Sequence, residues 1–384
     1  MDSKTWDIFC RVVDNFGDVG VSWRFARQVA REHHKRVRLW VDDLTVLAKL
    51  RPEIDPHLDA QRLEDVEVSR IRDPFGDVEV ADVVVETFGC DPPEAYVHAM
   101  AARAEKPRWI NLEYLSAENW VEGSHALPSP NPRLPLTKHF FFPGFTPRTG
   151  GLLREAGLLR RRDEFQRDAG AQAAFWRSLV GEAPAQATVK VSLFNYADAP
   201  VESLARACAG HPESIWLVAP EGAAATALEQ WRRRSKAGDG LRTFVTPFLP
   251  QDRYDLLLWA CDVNFVRGED SFVRAQWAAR PFIWHIYPTE DNAHYVKLAA
   301  FLTRYTYGLD RPQAGAVTSL FEAWNRWPET PSGEGSATGF PAAWAEFAAR
   351  RQALEAHART WAASLAQRPD LAAEIVDFVD NVID

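Results

Sequence analysis

Asp14-Asn15-Phe16-Gly17-Asp18-Val19-Gly20 separates an apolar run, Trp6-Asp7-Ile8-Phe9-Cys10-Arg11-Val12-Val13, from the helix-like Val21-Ser22-Trp23-Arg24-Phe25-Ala26-Arg27-Gln28-Val29-Ala30. A short apolar run, a glycine-containing turn and an amphipathic segment read as strand, turn and helix. In an α/β protein the turn after the first strand borders a ligand crevice. Two glycines let the backbone come close to a ligand, and two carboxylates beside them point to chemistry rather than packing.

Working outward, residues 37–41, 81–88 and 108–112 repeat the short apolar pattern of 7–13, as expected of strands buried on both faces of a parallel sheet. Between the first two runs, residues 21–33 place Trp23, Ala26, Arg27 and Ala30 at helical spacing. The texture then changes. Leu127-Pro128-Ser129-Pro130-Asn131-Pro132-Arg133-Leu134-Pro135 excludes helix and central strand, because proline recurs at alternate positions. The run Arg160-Arg161-Arg162 reads as a solvated helix face. A second series begins near Thr188, with strands expected at 189–194, 214–219, 243–245, 261–266 and 281–286, and helices at 203–209, 223–234 and 253–260. Residues 330–336 read as a surface loop, 342–367 as one long helix and 371–383 as a shorter one. Two α/β series joined by an irregular linker predict two Rossmann-like domains facing each other across a cleft. Such a pair serves dehydrogenases, periplasmic-type binders and GT-B glycosyltransferases alike, so fold alone does not choose.

The bulk numbers narrow the classes. At 384 residues the chain exceeds one ordinary core. Its 44 lysines and arginines against 53 aspartates and glutamates give a net charge of −9, which argues against nucleic acid and suits a basic protein partner. Cys10, Cys90, Cys208 and Cys261 are scattered without metal or disulfide spacing, so buried reduced thiols are expected. The first residues lack the pattern of a signal peptide, and no apolar run approaches the roughly 20 residues of a membrane span. A cytoplasmic protein with no membrane partner is expected.

Three stretches carry candidate chemistry. A dinucleotide fingerprint would need G-x-G-x-x-G, whereas the first turn offers Gly17 and Gly20 beside carboxylates that repel a pyrophosphate, which disfavours a dehydrogenase. The second stretch is Phe265-Val266-Arg267-Gly268-Glu269-Asp270-Ser271-Phe272-Val273-Arg274-Ala275-Gln276-Trp277. There an apolar strand ends, Gly268 frees the backbone, and Asp270 or Ser271 can cap the following helix. Its N-terminus is an anion site to which Arg267 adds a forked cation; the plain alternative is a capped helix. Third, Val191-Ser192-Leu193-Phe194-Asn195-Tyr196 and Phe248-Leu249-Pro250-Gln251 put aromatics and an amide at strand ends, where they flank a nucleotide base or simply fill a core. His285, His294 and the His33-His34 pair lack ligand partners at metal spacing and read as structural or surface histidines. No metal site is expected.

Residues 6–24 closely resemble the opening of the elongation factor P arginine rhamnosyltransferases, the EarP family. Residues 267–277 and Pro281-Phe282-Ile283-Trp284-His285-Ile286-Tyr287-Pro288 resemble that family's second signature. The resemblance implies a GT-B architecture and inverting, metal-independent transfer of L-rhamnose from dTDP-β-L-rhamnose to an arginine of elongation factor P, with no cofactor. It further implies activation of that factor for rescue of ribosomes stalled on polyproline. The acceptor domain would span 1–180, completed by a helix at about 368–384, and the nucleotide-sugar domain 185–365. By position, Asp18 is the implied general base, Asp14 a second required carboxylate and Glu269 the other catalytic acid. The implied donor-binding set is Phe16, Gly17, Phe194, Tyr196, Phe248, Gln251, Phe265, Arg267, Asp270 and Ser271. The alternatives are a GT-B enzyme with another donor or acceptor, and a non-catalytic adaptor for a translation partner.

Overall fold

The computed structural model describes residues 4–13, 16–235, 240–326 and 339–381. The chain divides into two units, Met1–Ala156 with Leu365–Asp384, and Gly157–Ser364. The first unit contains β1 (Thr5–Cys10), α1 (Phe16–Glu32), β2 (Arg36–Val41), α2 (Leu44–Leu50), β3 (Ala60–Leu63), β4 (Val66–Arg70), β5 (Val83–Thr87), α3 (Glu94–Ala102), β6 (Arg108–Leu112), α4 (Val121–Ser124), β7 (Pro128–Pro130) and β8 (Thr137–Phe141). The second contains α5 (Leu158–Arg167), α6 (Ala169–Val180), β9 (Val189–Leu193), α7 (Val201–Ala209), β10 (Ile215–Pro220), α8 (Ala223–Arg234), β11 (Leu241–Thr246), α9 (Gln251–Ala260), β12 (Val263–Arg267), α10 (Asp270–Trp277), β13 (Phe282–His285), α11 (Ala293–Tyr305), α12 (Arg311–Trp324) and α13 (Phe340–Ala349). Helix α14 (Arg351–Ala366) ends at the division, and α15 (Leu371–Asn381) returns to the first unit.

The first sheet has the order β3-β4-β2-β1-β5-β6-β8-β7, and the second β11-β10-β9-β12-β13. In each, the strand that comes first in its unit lies at the centre, and the chain builds outward on one side before crossing to the other. All pairings of the second sheet are parallel. In the first, β1 pairs in parallel with β2 and β5, while β3 and β7 are antiparallel edge strands. The reversal of strand order leaves a crevice above the carboxyl ends of β1 and β5 in one sheet, and of β9 and β12 in the other.

Burial explains the strands. Ile8, Phe9 and Cys10 of β1 and Val83, Val84 and Val85 of β5 are wholly buried, as strands covered on both faces must be. The proline-rich stretch yields β7, an edge strand pairing Pro128 opposite His139, where a missing N–H costs no ladder bond. Helix α15 packs on α1: Gln28 Nε2 donates to Asp370 Oδ1 at 2.9 Å, and Leu371 N donates to Leu152 O at 3.1 Å.

Several sequence expectations change. Helix α1 begins at Phe16, so Gly17 and Asp18 lie in its first turn rather than in the preceding loop. The expected long helix is two, broken at Arg350 (φ −104°, ψ 7°). The basic run is not uniformly solvated, since Arg162 is buried and its Nη1 donates to Trp277 O at 2.8 Å. The division falls at 156/157 rather than near 180, because α5 and α6 pack on second-unit elements: Phe165 lies 6.1 Å from Trp259, and Trp176 meets Trp216 edge-on at 5.9 Å. All four cysteines are free and buried, and burial pushes the Cys90 thiol up to about 12. The expected 330–336 loop, Asp14, and residues 382–383 at the end of the last helix lie outside the described residues.

Candidate functional site

Asp18 stands at the switch point of the first sheet, 2% exposed in the first turn of α1, where the helix dipole favours a carboxylate. Val13 N donates to its Oδ2 at 3.0 Å, and the Tyr114 hydroxyl donates to its Oδ1 at 3.3 Å. Ser22 Oγ donates to the Asp18 carbonyl at 2.8 Å, fixing the turn from below. Tyr114 follows β6 and Phe88 follows β5, so adjacent strands bring the two rings into a stack at 4.5 Å and 19°. Phe88 adopts φ +58°, an uncommon conformation for a bulky residue that turns the chain sharply off the strand end. Tyr114 is 37% exposed, so an immobilised carboxylate and an accessible aromatic ring share this corner. Phe16 and Gly17 occupy the start of α1, with Lys49 Nζ 5.9 Å above the Phe16 ring.

The second sheet assembles a different chemistry at its own switch point. Arg267 ends β12, and its guanidinium carbon lies 4.7 Å above the ring of Phe194 and 4.7 Å above that of Tyr196, both just past β9. The Phe194 N–H donates to Phe265 O at 2.9 Å, so the β9–β12 pairing runs to the edge of the crevice. Phe248 meets Phe194 edge-on at 6.4 Å, and Tyr254 lies 5.5 Å from the same ring. Gly268 turns the chain with φ +57°, which favours glycine. Glu269 then occupies the N-cap position of α10, with no side-chain cap bond. Ser271 does not cap the helix as expected. Its hydroxyl folds back on Arg267, accepting from the N–H at 3.1 Å and donating to the carbonyl.

Helix α10 is held in place from α9. Gln251 Nε2 donates to Asp270 Oδ2 at 3.1 Å, and Arg274 clamps Asp255 through Nε–Oδ1 at 3.0 Å and Nη2–Oδ2 at 2.6 Å, all four residues lying largely out of solvent. A buried, forked ion pair of this kind makes the helix N-terminus a fixed feature. Phe194, Tyr196, Phe248, Gln251, Arg267, Glu269, Asp270 and Ser271 therefore belong to one constellation. Phe265 does not present its ring there: it is wholly buried, 4.4 Å from Trp324 and 6.1 Å from Trp344, and fills the core beneath the strand end.

Sequence reasoning missed Phe88, Tyr114, Tyr254 and Asp198, and it read His285 as structural only. His285 Nδ1 accepts from the Tyr196 N–H at 3.2 Å, its Nε2 lies 3.5 Å from Asp198 Oδ1, and that bond holds the Asp198 carboxyl below its ordinary range. The signal for Tyr114 and Phe88 was their position just after expected strands, the same signal used for Phe194. Two surface cavities of about 700 Å³ and 1180 Å³ open among Thr5, Arg36, Glu79 and Val80, at the amino ends of the first sheet's strands and away from its switch point. Among the described residues no group of three or more His, Cys, Asp or Glu could hold a metal ion, and no helix is long and apolar enough to cross a membrane.

Comparison with known proteins fits this geometry. The family model for the Elongation-Factor P (EF-P) rhamnosyltransferase EarP matches residues 6–380. A protein-arginine rhamnosyltransferase of Pseudomonas putida is 46% identical over 384 aligned residues, covering 98% of this chain and 99% of the relative. A solved structure, reported as the structural basis for EarP-mediated arginine glycosylation of translation elongation factor EF-P, matches with a TM-score of 0.67 and 34% identity. It covers 99% of this chain and 100% of its own. MurG of Acinetobacter baumannii matches with a TM-score of 0.51 at 12% identity, over 99% of this chain and 100% of its own, which speaks for fold alone. Two α/β units with these neighbours are a GT-B glycosyltransferase fold. With the match spanning nearly its whole length, the chain belongs to the EF-P rhamnosyltransferase family EarP, a family of glycosyltransferases.

Proposed function

We propose that the protein transfers L-rhamnose from dTDP-β-L-rhamnose to one arginine of elongation factor P, with inversion at the anomeric carbon and without a metal or cofactor. The modification activates the factor for ribosomes stalled on polyproline, in the cytoplasm. The observation that carries the donor half is Arg267, whose planar cation spans the Phe194 and Tyr196 rings at the N-terminus of α10. Rings at this edge suit a nucleoside base; the guanidinium and the positive end of a helix dipole suit its diphosphate. Phe248, Gln251, Asp270 and Ser271 complete the donor set in this unit, with Phe16 and Gly17 assigned to it from the first.

The acceptor half rests on Asp18. An arginine guanidinium stays protonated in water and attacks poorly unless a carboxylate holds it and takes a proton. In the proposed step a guanidinium nitrogen forms the bond to the anomeric carbon while the bond to the dTDP oxygen breaks. Asp18 accepts the proton that nitrogen sheds, Asp14 holds the remaining N–H groups, and Glu269 serves as the further carboxylate at the sugar. Charge growing on the departing diphosphate falls to Arg267 and the α10 N-terminus, which supplies what a metal would otherwise supply.

Mass spectrometry of elongation factor P after incubation with dTDP-rhamnose and this protein tests the reading. A gain of one deoxyhexose localised to an arginine is expected. Unchanged mass in the presence of tight binding between the two proteins would overturn the transferase reading.

A further inference from the structure

Strand β13 belongs to the stretch 281–288, which stands out in the sequence yet contributes no residue to the donor set above. Its last two residues, Trp284 and His285, send their side chains to opposite faces of the sheet, as successive strand residues must. On one face the Trp284 indole stacks on Phe272 of α10 at 4.0 Å and 11°, and its Nε1 donates to Gly268 O at 2.8 Å. That carbonyl belongs to the left-handed residue that turns the chain between Arg267 and Glu269. On the other face His285 is 3% exposed and takes the Tyr196 N–H on Nδ1 at 3.2 Å. An imidazole that accepts at Nδ1 while neutral carries its hydrogen on Nε2. Nε2 faces Asp198 Oδ1 at 3.5 Å, two residues beyond Tyr196. The histidine ring also meets the Tyr196 ring edge-on at 5.3 Å.

The strand carrying both side chains is itself anchored. Asn325, at the end of α12, accepts from Ile286 N at 3.0 Å and donates to Trp284 O at 2.8 Å, while β12 pairs Val266 with Trp284 and Arg267 with His285. One rigid strand end therefore touches both walls of the candidate donor site, the 267–269 turn and the 195–198 loop. Those walls meet where the Arg267 guanidinium lies over Tyr196.

We infer that Trp284 and His285 form a two-sided brace that sets the spacing between the phosphate-binding turn and the base-flanking loop, making both of them positioning residues for the nucleoside diphosphate. The inference rests on the donor reading above. A brace differs from ordinary core packing in what its loss changes. Relaxing either contact moves Arg267 relative to Tyr196 and weakens the nucleotide, but leaves the first unit's Asp18 corner untouched.

The test measures dTDP binding by calorimetry, with separate KM values for dTDP-rhamnose and elongation factor P, in Trp284→Phe, His285→Leu and His285→Asn. Trp284→Phe keeps an aromatic ring on Phe272 and removes only the N–H donor. His285→Asn offers an amide oxygen close to the Nδ1 position, whereas His285→Leu offers none. Trp284→Phe and His285→Leu are each expected to weaken dTDP about tenfold and to raise the donor KM in step, with the acceptor KM within twofold of wild type. His285→Asn is expected to recover most of the affinity that His285→Leu loses. Folded Trp284→Phe or His285→Leu protein that binds dTDP like wild type would overturn the brace, as would a parallel rise in the acceptor KM or equal loss in both His285 variants. Wild-type protein that binds no dTDP overturns the donor reading itself, and the brace with it.

Discussion

Replacing Asp18 by asparagine separates the chemical role of this side chain from its structural one, because its hydrogen bonds to Val13 and Tyr114 can survive. The carboxylate accepts from Val13 N at 3.0 Å and from the Tyr114 hydroxyl at 3.3 Å. An asparagine turns its carbonyl to the Val13 N–H, which only donates, and its NH₂ to the phenol oxygen, which accepts as readily as it donates. Both positions stay satisfied, so these two bonds should cost the fold no more than about 1 kcal/mol. The negative charge and the proton-accepting oxygen are gone. Losing a general base costs roughly 10²–10⁴-fold in rate, equivalent to about 3–5 kcal/mol of barrier. Losing a charge-assisted bond to a guanidinium costs a further ~1.5–3 kcal/mol, expressed in the KM for elongation factor P. Affinity for dTDP should stay within twofold, since Asp18 is not in the proposed donor set, whose charged members around Arg267 lie in the second unit. Steady-state turnover read by mass spectrometry, with calorimetry for dTDP, measures all three quantities. Asp18→Asn protein that keeps more than a tenth of the wild-type kcat refutes the base assignment. A melting temperature far below wild type would show that Asp18 is chiefly a structural cap of α1.

Two further perturbations probe other parts of the molecule. Arg267→Ala removes a cation lying over two rings and the forked donor proposed for the diphosphate, together roughly 2–3 kcal/mol, so dTDP binding should weaken about 30- to 150-fold. Ser271→Ala deletes both hydrogen bonds to the Arg267 backbone and should weaken dTDP by about tenfold through a looser turn. Unchanged affinity in both variants would remove the phosphate site. Burial raises the Glu86 carboxyl from 4.5 to about 7, although Lys138 pairs with Oε1 and Trp109 Nε1 donates to Oε2 at 3.1 Å. The folded state therefore holds this proton longer than the unfolded chain does. The stabilisation is complete below about pH 4.5 and is lost as pH rises through 7, an upper limit of about 3 kcal/mol at about 1.4 kcal/mol per pH unit. Chemical denaturation of Glu86→Gln between pH 4.5 and 8 should show a flatter stability profile than wild type. An identical slope in both proteins would show that the Lys138 partnership cancels the burial penalty.

What the sequence made legible follows from which contacts are local. The β1–turn–α1 unit was readable because strand, turn and helix are contiguous and each carries its own period, as was the passage from β12 through Gly268 into α10. The antiparallel β3–β4 hairpin escaped because β3, an edge strand, alternates exposed and half-buried residues and carries no apolar run. The break at Arg350 escaped because Ala348, Ala349, Arg350 and Arg351 are all good helix formers, and nothing in their types marks the interruption. Phe265 was misassigned for a different reason: an aromatic two residues before Arg267 on the same strand looks like a pocket wall until α12 and α13 are seen to cover it with Trp324 and Trp344.

Phe88, Tyr114 and His285, whose places at the candidate sites were not read from the sequence, share one property: they reach the site through a neighbouring strand. Tyr114 lies 96 residues from Asp18 in sequence, and His285 lies 89 residues from Tyr196, yet each makes a hydrogen bond to its partner. In a doubly wound sheet the strand beside the central one is supplied by a distant stretch of chain, so the second wall of the switch-point crevice is never next to the first in sequence. Knowing the strand order converts that difficulty into a rule. Once β5 is placed beside β1 and β6 beside β5, the first two residues past those strands, Phe88 and Tyr114 among them, must rim the crevice that Asp18 enters. The same operation on the second sheet sets Phe194 against Arg267, and the β13 end on the other side of Arg267. Asp18, half of the carboxylate pair that first drew attention in the sequence, is therefore only the part of this candidate corner that is written contiguously with β1. The corner's aromatic half is encoded by strand order, and Tyr114→Phe, which keeps the stacked ring and removes only the hydroxyl on Asp18, isolates what that second half adds.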